Sequence, residues 1–454
     1  MTVNKSQVTS VFWICEDVHY SLLKHQYYNR MNYSKYLSKV AGRRKPSGIS
    51  DMRKYLVNPS PSLVWLGSGM PNPTQFPFRE VTVGLNDGEV LHLSQDMLSS
   101  GLQYGPTPGY APLVTQLKAM VERHHSPPRW SESNLLVTVG AQDGVSKAFE
   151  MLLDPGDYVV ISDPCYSDAL CMLASLAPQY LAIENDDEGM VPANLRAALK
   201  LAANSEEKRM PKALYLVPNA SNPTGTTMGE VRRREIYAIA QEYDLIILED
   251  DPYYFLTYEE EQNIPPSFLS LDIDGRVLRF DSFSKIVSAG LRVAFVTGPA
   301  PLLAVMELHL QSSVICGPMF SQVLVSELLR EWGEEGFSRH TAKLRIFYKN
   351  QRDAMLLAAS THLTGLCEWT VPKGGIFLWL KVVGVKDTGP MIIERGITKN
   401  VILIPGKEFV VDSSKPNQFM RAAFSCVTPE QMMKGMENLA SLIREEIALQ
   451  NNQA

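Results

Sequence analysis

Long apolar runs are missing from this chain. No stretch is long enough to cross a bilayer as a helix, which argues against a membrane protein. Cysteine is scarce, at 6 in 454 residues. Cys15, Cys165, Cys171, Cys316, Cys367 and Cys426 are scattered, and no two are spaced as metal ligands. That pattern argues against a disulfide scaffold or a zinc site and fits a reduced, intracellular protein. Histidine is also sparse. Its one cluster, His124-His125 ahead of Pro127-Pro128, reads as a surface loop. Neither a His-Glu-x-x-His pair nor a Walker-type Gly-Lys-Ser/Thr loop is present. Positive charge is in deficit, with a net charge of -6, and there is no basic tract of the kind that follows a nucleic-acid backbone. The densest basic run, Arg232-Arg233-Arg234, is flanked by Glu230 and Glu235 and reads as a solvated helix face.

What remains is ordinary globular composition, 45% hydrophobic and 20% charged, in a chain long enough for one large and one smaller domain. Short apolar runs rich in branched residues mark strands at Leu135–Val139, Tyr158–Ile161, Ala213–Val217, Leu245–Leu248, Val277–Phe280 and Val293–Val296. Helical patterns fall between several of them, as at Ser146–Leu153 and Glu230–Tyr243. The alternation predicts an α/β fold with a mostly parallel sheet buried on both faces. A long helical region follows Pro301, and the predicted domain boundary lies inside it, near 330–345. Gly374–Val382 and Phe419–Ser425 predict a second, smaller sheet, and Pro429–Ile447 a closing helix. Residues 1–30 lack both the apolar core of a signal peptide and the Arg-rich, acid-poor make-up of a transit peptide. They read as a loosely held extension.

The chemistry gathers at the predicted strand ends, where open α/β sheets bind ligands. Lys285 stands in Asp281-Ser282-Phe283-Ser284-Lys285, with Arg292 seven residues on. An amine among hydroxyls and a guanidinium suits an aldehyde cofactor with a phosphate tail: the lysine bonds the aldehyde, while Ser282, Ser284 and Arg292 hold the phosphate. Asp250, in Glu249-Asp250-Asp251-Pro252-Tyr253, can pair with a protonated pyridine nitrogen, and the tyrosine can bond a ring hydroxyl. Asn222 sits in the turn Asn222-Pro223-Thr224-Gly225, whose first peptide bond is a candidate for the cis form. Tyr166 can lay its ring against a flat cofactor. Gly140-Ala141-Gln142-Asp143-Gly144 opens a helix, whose first N–H groups suit a phosphate. Arg421 can take a carboxylate through two parallel hydrogen bonds.

These residues, in this order, resemble the fold-type I pyridoxal-phosphate aminotransferases, and most of all the kynurenine/α-aminoadipate aminotransferases. The likeness runs from about Met31 to about Glu446. It is carried by Gly69-Met70-Pro71-Asn72-Pro73, Leu102-Gln103-Tyr104, Pro218–Gly225, Glu249–Phe255, Asp281–Lys285, Glu331–Phe337 and Phe377-Leu378-Trp379. The resemblance implies a segment 31–65 joining the small domain to the active site, a cofactor domain over 66–335 and a small domain over 336–454. It implies Lys285 as the catalytic residue. Ala141, Gln142, Tyr166, Asn222, Asp250, Pro252, Tyr253, Ser282, Ser284 and Arg292 would surround pyridoxal 5'-phosphate. Tyr104 would reach the phosphate of a neighbouring subunit, hence a homodimer with shared sites. Gly69, Tyr166, Asn222, Arg421 and Ser50 would meet the substrate. The family carries a hydroxyl residue where this chain has Ala141, so one phosphate hydrogen bond, on the order of 1 kcal/mol, would be lost. It carries an arginine that meets the distal part of the substrate where this chain has Ser50, with Arg53 three residues on.

The implied activity is transfer of the amino group of L-2-aminoadipate, L-kynurenine or both, with other large amino acids as further donors, to 2-oxoglutarate; the implied compartment is the mitochondrion, with the cytoplasm as the alternative. A β-lyase, or an aminotransferase for aromatic or branched amino acids, stays open as an alternative on the same scaffold. An aminotransferase-like transcription regulator would need a DNA-binding module, which the acidic chain does not suggest.

Overall fold

A computed structural model of the chain describes residues 31–453, apart from 49–59, 61, 68, 207–209 and 261–262. The predicted extension over 1–30, Ser50 and Arg53 lie outside the described residues. A two-stranded ribbon, β1 (Thr82–Gly84) and β2 (Val90–His92), precedes the main sheet. That sheet contains β3 (Ser133–Val139), β4 (Tyr158–Asp163), β5 (Gln179–Asp186), β6 (Gly189–Met190), β7 (Ala213–Leu216), β8 (Ile246–Asp250), β9 (Val277–Ser282) and β10 (Val293–Pro299). In space they run β3-β10-β9-β8-β7-β4-β5-β6. Strands β9, β8, β7, β4 and β5 are mutually parallel, and β10 runs antiparallel to both its neighbours.

Every residue of β7, β8, β9 and β10 is buried. Helices on both faces explain why these strands read as unbroken apolar runs. Each fully buried aliphatic side chain there contributes about 1.5–3 kcal/mol. By contrast, β5 lies near the sheet edge and has one buried residue, Ile183, among exposed and part-buried ones, so no apolar run announces it.

The main helices are α1 (Gln95–Leu102), α2 (Ala111–His125), α3 (Ala141–Leu152), α4 (Ser167–Ala174), α5 (Pro192–Asn204), α6 (Glu230–Glu242), α7 (Phe268–Leu271), α8 (Ala300–Ser313), α9 (Met319–His362) and α10 (Pro429–Gln453). Helix α9 is broken at Gly333, whose φ of 56° and ψ of -166° are not helical. Across the break, Trp332 stacks on His340 at 4.5 Å, and His340 Nε2 lies 2.6 Å from the Ile286 carbonyl oxygen, one residue past Lys285.

The second sheet is antiparallel throughout, with β11 (Cys367–Trp369), β12 (Phe377–Val382), β13 (Ile404–Pro405) and β14 (Phe419–Ala423) in the order β11-β12-β14-β13. It closes on the main sheet beside the turn after β7. Gly225 has φ +70°, and a Cβ there would come within 3.1 Å of the Phe377 carbonyl oxygen, so only glycine fits this crossing.

Two sequence expectations change. His124 and His125 form the last turn of α2, not a loop. His125 is buried and packs on Tyr254 at 4.8 Å, and burial holds its imidazole well below the ordinary range. Arg233, the middle of the basic run, is also buried. It donates to the carbonyls of Met228, Pro218 and Pro266 and to Asn219 Oδ1, because every third or fourth residue of α6 faces the sheet.

Candidate active site

Three neighbouring parallel strands deliver their chemistry at one edge. Strand β8 ends in Asp250, whose Oδ2 accepts the Tyr215 hydroxyl of β7 at 2.7 Å. Asp250 Oδ1 is buried and has no partner among the described residues. Burial pushes this carboxyl up to about 7, against the lowering effect of the Tyr215 hydrogen bond. An orphaned, buried carboxylate oxygen of this kind fits a cationic ring N–H. Pro252 follows it, and Tyr253 is buried edge-on to Phe377 at 6.2 Å.

The turn after β7 carries Asn222, whose peptide bond to Pro223 is cis. Asn222 Oδ1 accepts from Arg421 Nη1 at 2.7 Å, a bond from the large sheet to β14. The Arg421 guanidinium lies on the Phe377 ring at 4.1 Å and on the Phe409 ring at 4.9 Å. Its Nε is buried without a partner among the described residues. The two rings hold the fork flat and leave donors free for a carboxylate.

Lys285 is half-buried in the loop after β9. Burial first, then the charges of Arg421 and Arg292, hold its amine below the ordinary lysine value, so more of it is neutral. Beside it Ser282, Ser284 and Arg292 converge. Ser284 N–H donates to Ser282 Oγ at 3.1 Å, and Arg292 Nη1 reaches Ser284 Oγ at 3.4 Å. Arg292 has φ 55°, and its Nη2 donates to the Val139 carbonyl at 3.3 Å. This brings it against Gly140, where a Cβ would lie 1.9 Å from Nη2. Ala141 and Gln142 open α3 at that point, with their backbone N–H groups free of helical partners. This cluster and the orphaned Asp250 oxygen fit the two ends of pyridoxal phosphate.

Tyr166 is half-buried and caps α4, and its hydroxyl donates to Asp168 Oδ2 at 2.6 Å. The structure thus brings Asp250, Tyr253, Asn222, Arg421, Lys285, Ser282, Ser284, Arg292, Ala141, Gln142 and Tyr166 to one region. Gly69 and Tyr104 are different. Gly69 is exposed in open space, and the Tyr104 side chain is 55% exposed.

Sequence reading missed the layer beneath. Arg279, in the middle of β9, is 0% exposed. It forms a forked pair with Asp281 at 2.8 and 3.0 Å and reaches Asp251 at 2.9 Å and Glu249 at 3.1 Å. Asp251 Oδ2 also accepts from Asn219 at 2.7 Å. The ends of β7, β8 and β9 are therefore tied together from below. The available signal was a charge in an otherwise apolar strand, which is rare without partners.

The sequence of the chain matches the family described as aminotransferase class I and II over residues 61–439. The chain belongs to this family, and is a pyridoxal-phosphate-dependent aminotransferase with an α/β fold. Among curated relatives, the mitochondrial kynurenine/alpha-aminoadipate aminotransferase of Mus musculus is 41% identical over 92% of this chain and 100% of its own. Among solved structures, the kynurenine aminotransferase of Pyrococcus horikoshii is 32% identical, with a TM-score of 0.73, over 92% of this chain and 98% of that one. Aminotransferase Aro8 of Candida albicans has a TM-score of 0.83 at 26% identity, over 92% and 99%.

Proposed function

We propose that the chain moves the amino group of L-kynurenine and L-2-aminoadipate to 2-oxoglutarate, giving a 2-oxo acid and glutamate. The Arg421–Asn222 clamp carries this reading: it sits beside Lys285, and its unpaired donors suit a substrate α-carboxylate that is kept through the reaction. The names of the mouse relative and the Pyrococcus structure support the choice of donors.

In this reading Arg421 and Asn222 fix the substrate α-carboxylate, with the backbone N–H of Gly69 closing over it. Lys285 Nζ, held below the ordinary lysine value by burial and two nearby guanidiniums, takes the proton from the substrate α-carbon and later returns one. Bound pyridoxal phosphate supplies an aldehyde for the amino group and an electron-poor ring that accepts the electron pair freed when that proton leaves. The Asp250 carboxylate keeps the ring nitrogen protonated. Tyr253 and Asn222 would bond the ring oxygen, and Tyr166 would face the ring. Gln142, Ala141, Ser282, Ser284 and Arg292 would hold the phosphate, and Pro252 would lie beside the cofactor.

We further infer a homodimer in which Tyr104 crosses to the partner's phosphate site. The exposed apolar residues Leu66, Phe78 and Tyr104 support this. Mixing Lys285→Ala with Tyr104→Phe subunits tests it, because subunit exchange places both lesions in one of the two shared sites. The mitochondrial location in the mouse relative's name supports the same location here. A reporter fused to residues 1–30 tests that reading. The donors are tested by incubating cofactor-loaded protein with 2-oxoglutarate and each amino acid. Glutamate from both is expected, and glutamate from neither would overturn the assignment.

A further inference from the structure

We propose that His340 is a positioning residue for Lys285: through the Ile286 carbonyl it fixes the turn that carries the amine, so that proton transfer depends on it and substrate binding does not. The inference rests on the role given to Lys285 above, and adds a residue that acts on the amine through the backbone.

Lys285 sits in a tight turn. The Phe283 carbonyl accepts from the N–H groups of Ile286 at 3.3 Å, Val287 at 2.8 Å and Ser288 at 3.1 Å, and the Phe283 N–H donates to the Val293 carbonyl of β10 at 3.1 Å. These bonds tie the turn to the main sheet. On its other side the Ile286 carbonyl meets His340. A carbonyl oxygen only accepts, so Nε2 carries the hydrogen at this 2.6 Å contact. The Trp332 ring, stacked on the imidazole with 27° between the planes, sets its orientation. In an unbroken helix, residues eight apart stand about 12 Å apart along the axis. The stack therefore depends on the break at Gly333.

The same half of α9 reaches the clamp. Gln351 lies about three turns after His340 and so on the same face of the helix. Its Nε2 donates to the Phe424 carbonyl at 2.9 Å and the Val427 carbonyl at 2.8 Å, just past the end of β14, which carries Arg421. One helical segment thus holds the turn of Lys285 at one end and the strand of Arg421 at the other. The α-carbon of a substrate gripped by Arg421 must come within reach of the amine. An error in that distance raises the barrier to proton transfer, while the clamp keeps its own bonds to the carboxylate. Docking of the helix is a separate role. Phe337, one turn before His340, packs edge-on to Phe255 at 5.1 Å and holds this end of the segment without the His340 bond.

The test compares His340→Phe, which keeps a ring on Trp332 and drops the N–H, with His340→Gln, which keeps an N–H at similar reach. In His340→Phe, kcat with an amino donor should fall about ten-fold while KM stays within about two-fold, and the isotope effect on kcat with an α-deuterated donor should rise. His340→Gln should recover most of kcat. Apart from turnover, cofactor-free His340→Phe should exchange the backbone amides of residues 286–288 for deuterium faster than wild type, with those of β9 unchanged. If His340→Phe does not fold, Trp332→Leu, which removes the face that orients the imidazole, carries the same predictions. Unchanged kcat or unchanged exchange overturns the proposal, as does a loss shared equally by His340→Phe and His340→Gln. Failure of the aminotransferase reading shows separately, as a wild-type protein that forms no glutamate from any amino donor.

Discussion

The two halves of the site are built by opposite means. On the cofactor side, Asp250, Lys285 and Asn222 leave three adjacent parallel strands whose residues are all buried. Beneath them one buried arginine, Arg279, ties Asp251 to Asp281. On the substrate side, Arg421 comes from the other sheet. Among the described residues it is held by one side-chain hydrogen bond and two aromatic faces, while Gly69 and Tyr104 stand in the open. Charges that must not move are buried and cross-tied, and groups that must admit and release a ligand are carried by separate, more open elements.

Substitutions should separate the halves, and the largest effect belongs to the amine. Lys285→Ala should lower turnover by at least about 10⁴-fold with the fold intact, as read by steady-state assay and circular dichroism. Arg279→Leu should act without touching the ligand. It leaves buried carboxylates unpaired, so denaturant titration should show a loss of about 3–5 kcal/mol. A stable Arg279→Leu protein would break the claim that the cofactor side is tied from below. Arg421→Gln should raise KM for the amino donor about 100-fold while changing kcat less, since it removes binding and spares the proton transfer.

Asp250 sharpens the comparison through pH. Its carboxyl is raised from the ordinary value of 3.8 to about 7, mainly by burial. The folded, cofactor-free protein therefore binds this proton more tightly than the unfolded chain does. The stability this adds is fully present below the unfolded value of 3.8 and is lost as pH rises through about 7. Thermal melts of cofactor-free protein should show wild type losing stability relative to Asp250→Asn across that window. The smallest effect concerns Ala141: a serine there restores a phosphate hydrogen bond and should tighten cofactor binding by on the order of 1 kcal/mol in equilibrium titration.

The strands that carry the site were legible because burial on both faces makes them continuous apolar runs ending in polar turns. Strand β5 was not, because near the sheet edge it sets a single buried residue among exposed and part-buried ones. The smaller sheet was legible in β12 and β14, but β13, two residues long, is defined only by its pairing with β14. Lys285, Asp250, Asn222 and Arg421 could be singled out because each stands in or beside a turn or strand of distinctive chemistry. The Tyr215 hydroxyl on Asp250, Arg279 beneath the strand ends and Asp168 on Tyr166 arise from long-range neighbours that local pattern does not encode.

The chemistry assigned to Lys285 turns on where the cofactor is bonded. Cofactor-loaded protein reduced with borohydride and then digested for mass spectrometry should carry the cofactor on the peptide containing Lys285 and on no other. Attachment at a different lysine, or none in protein that has taken up the cofactor, would contradict it.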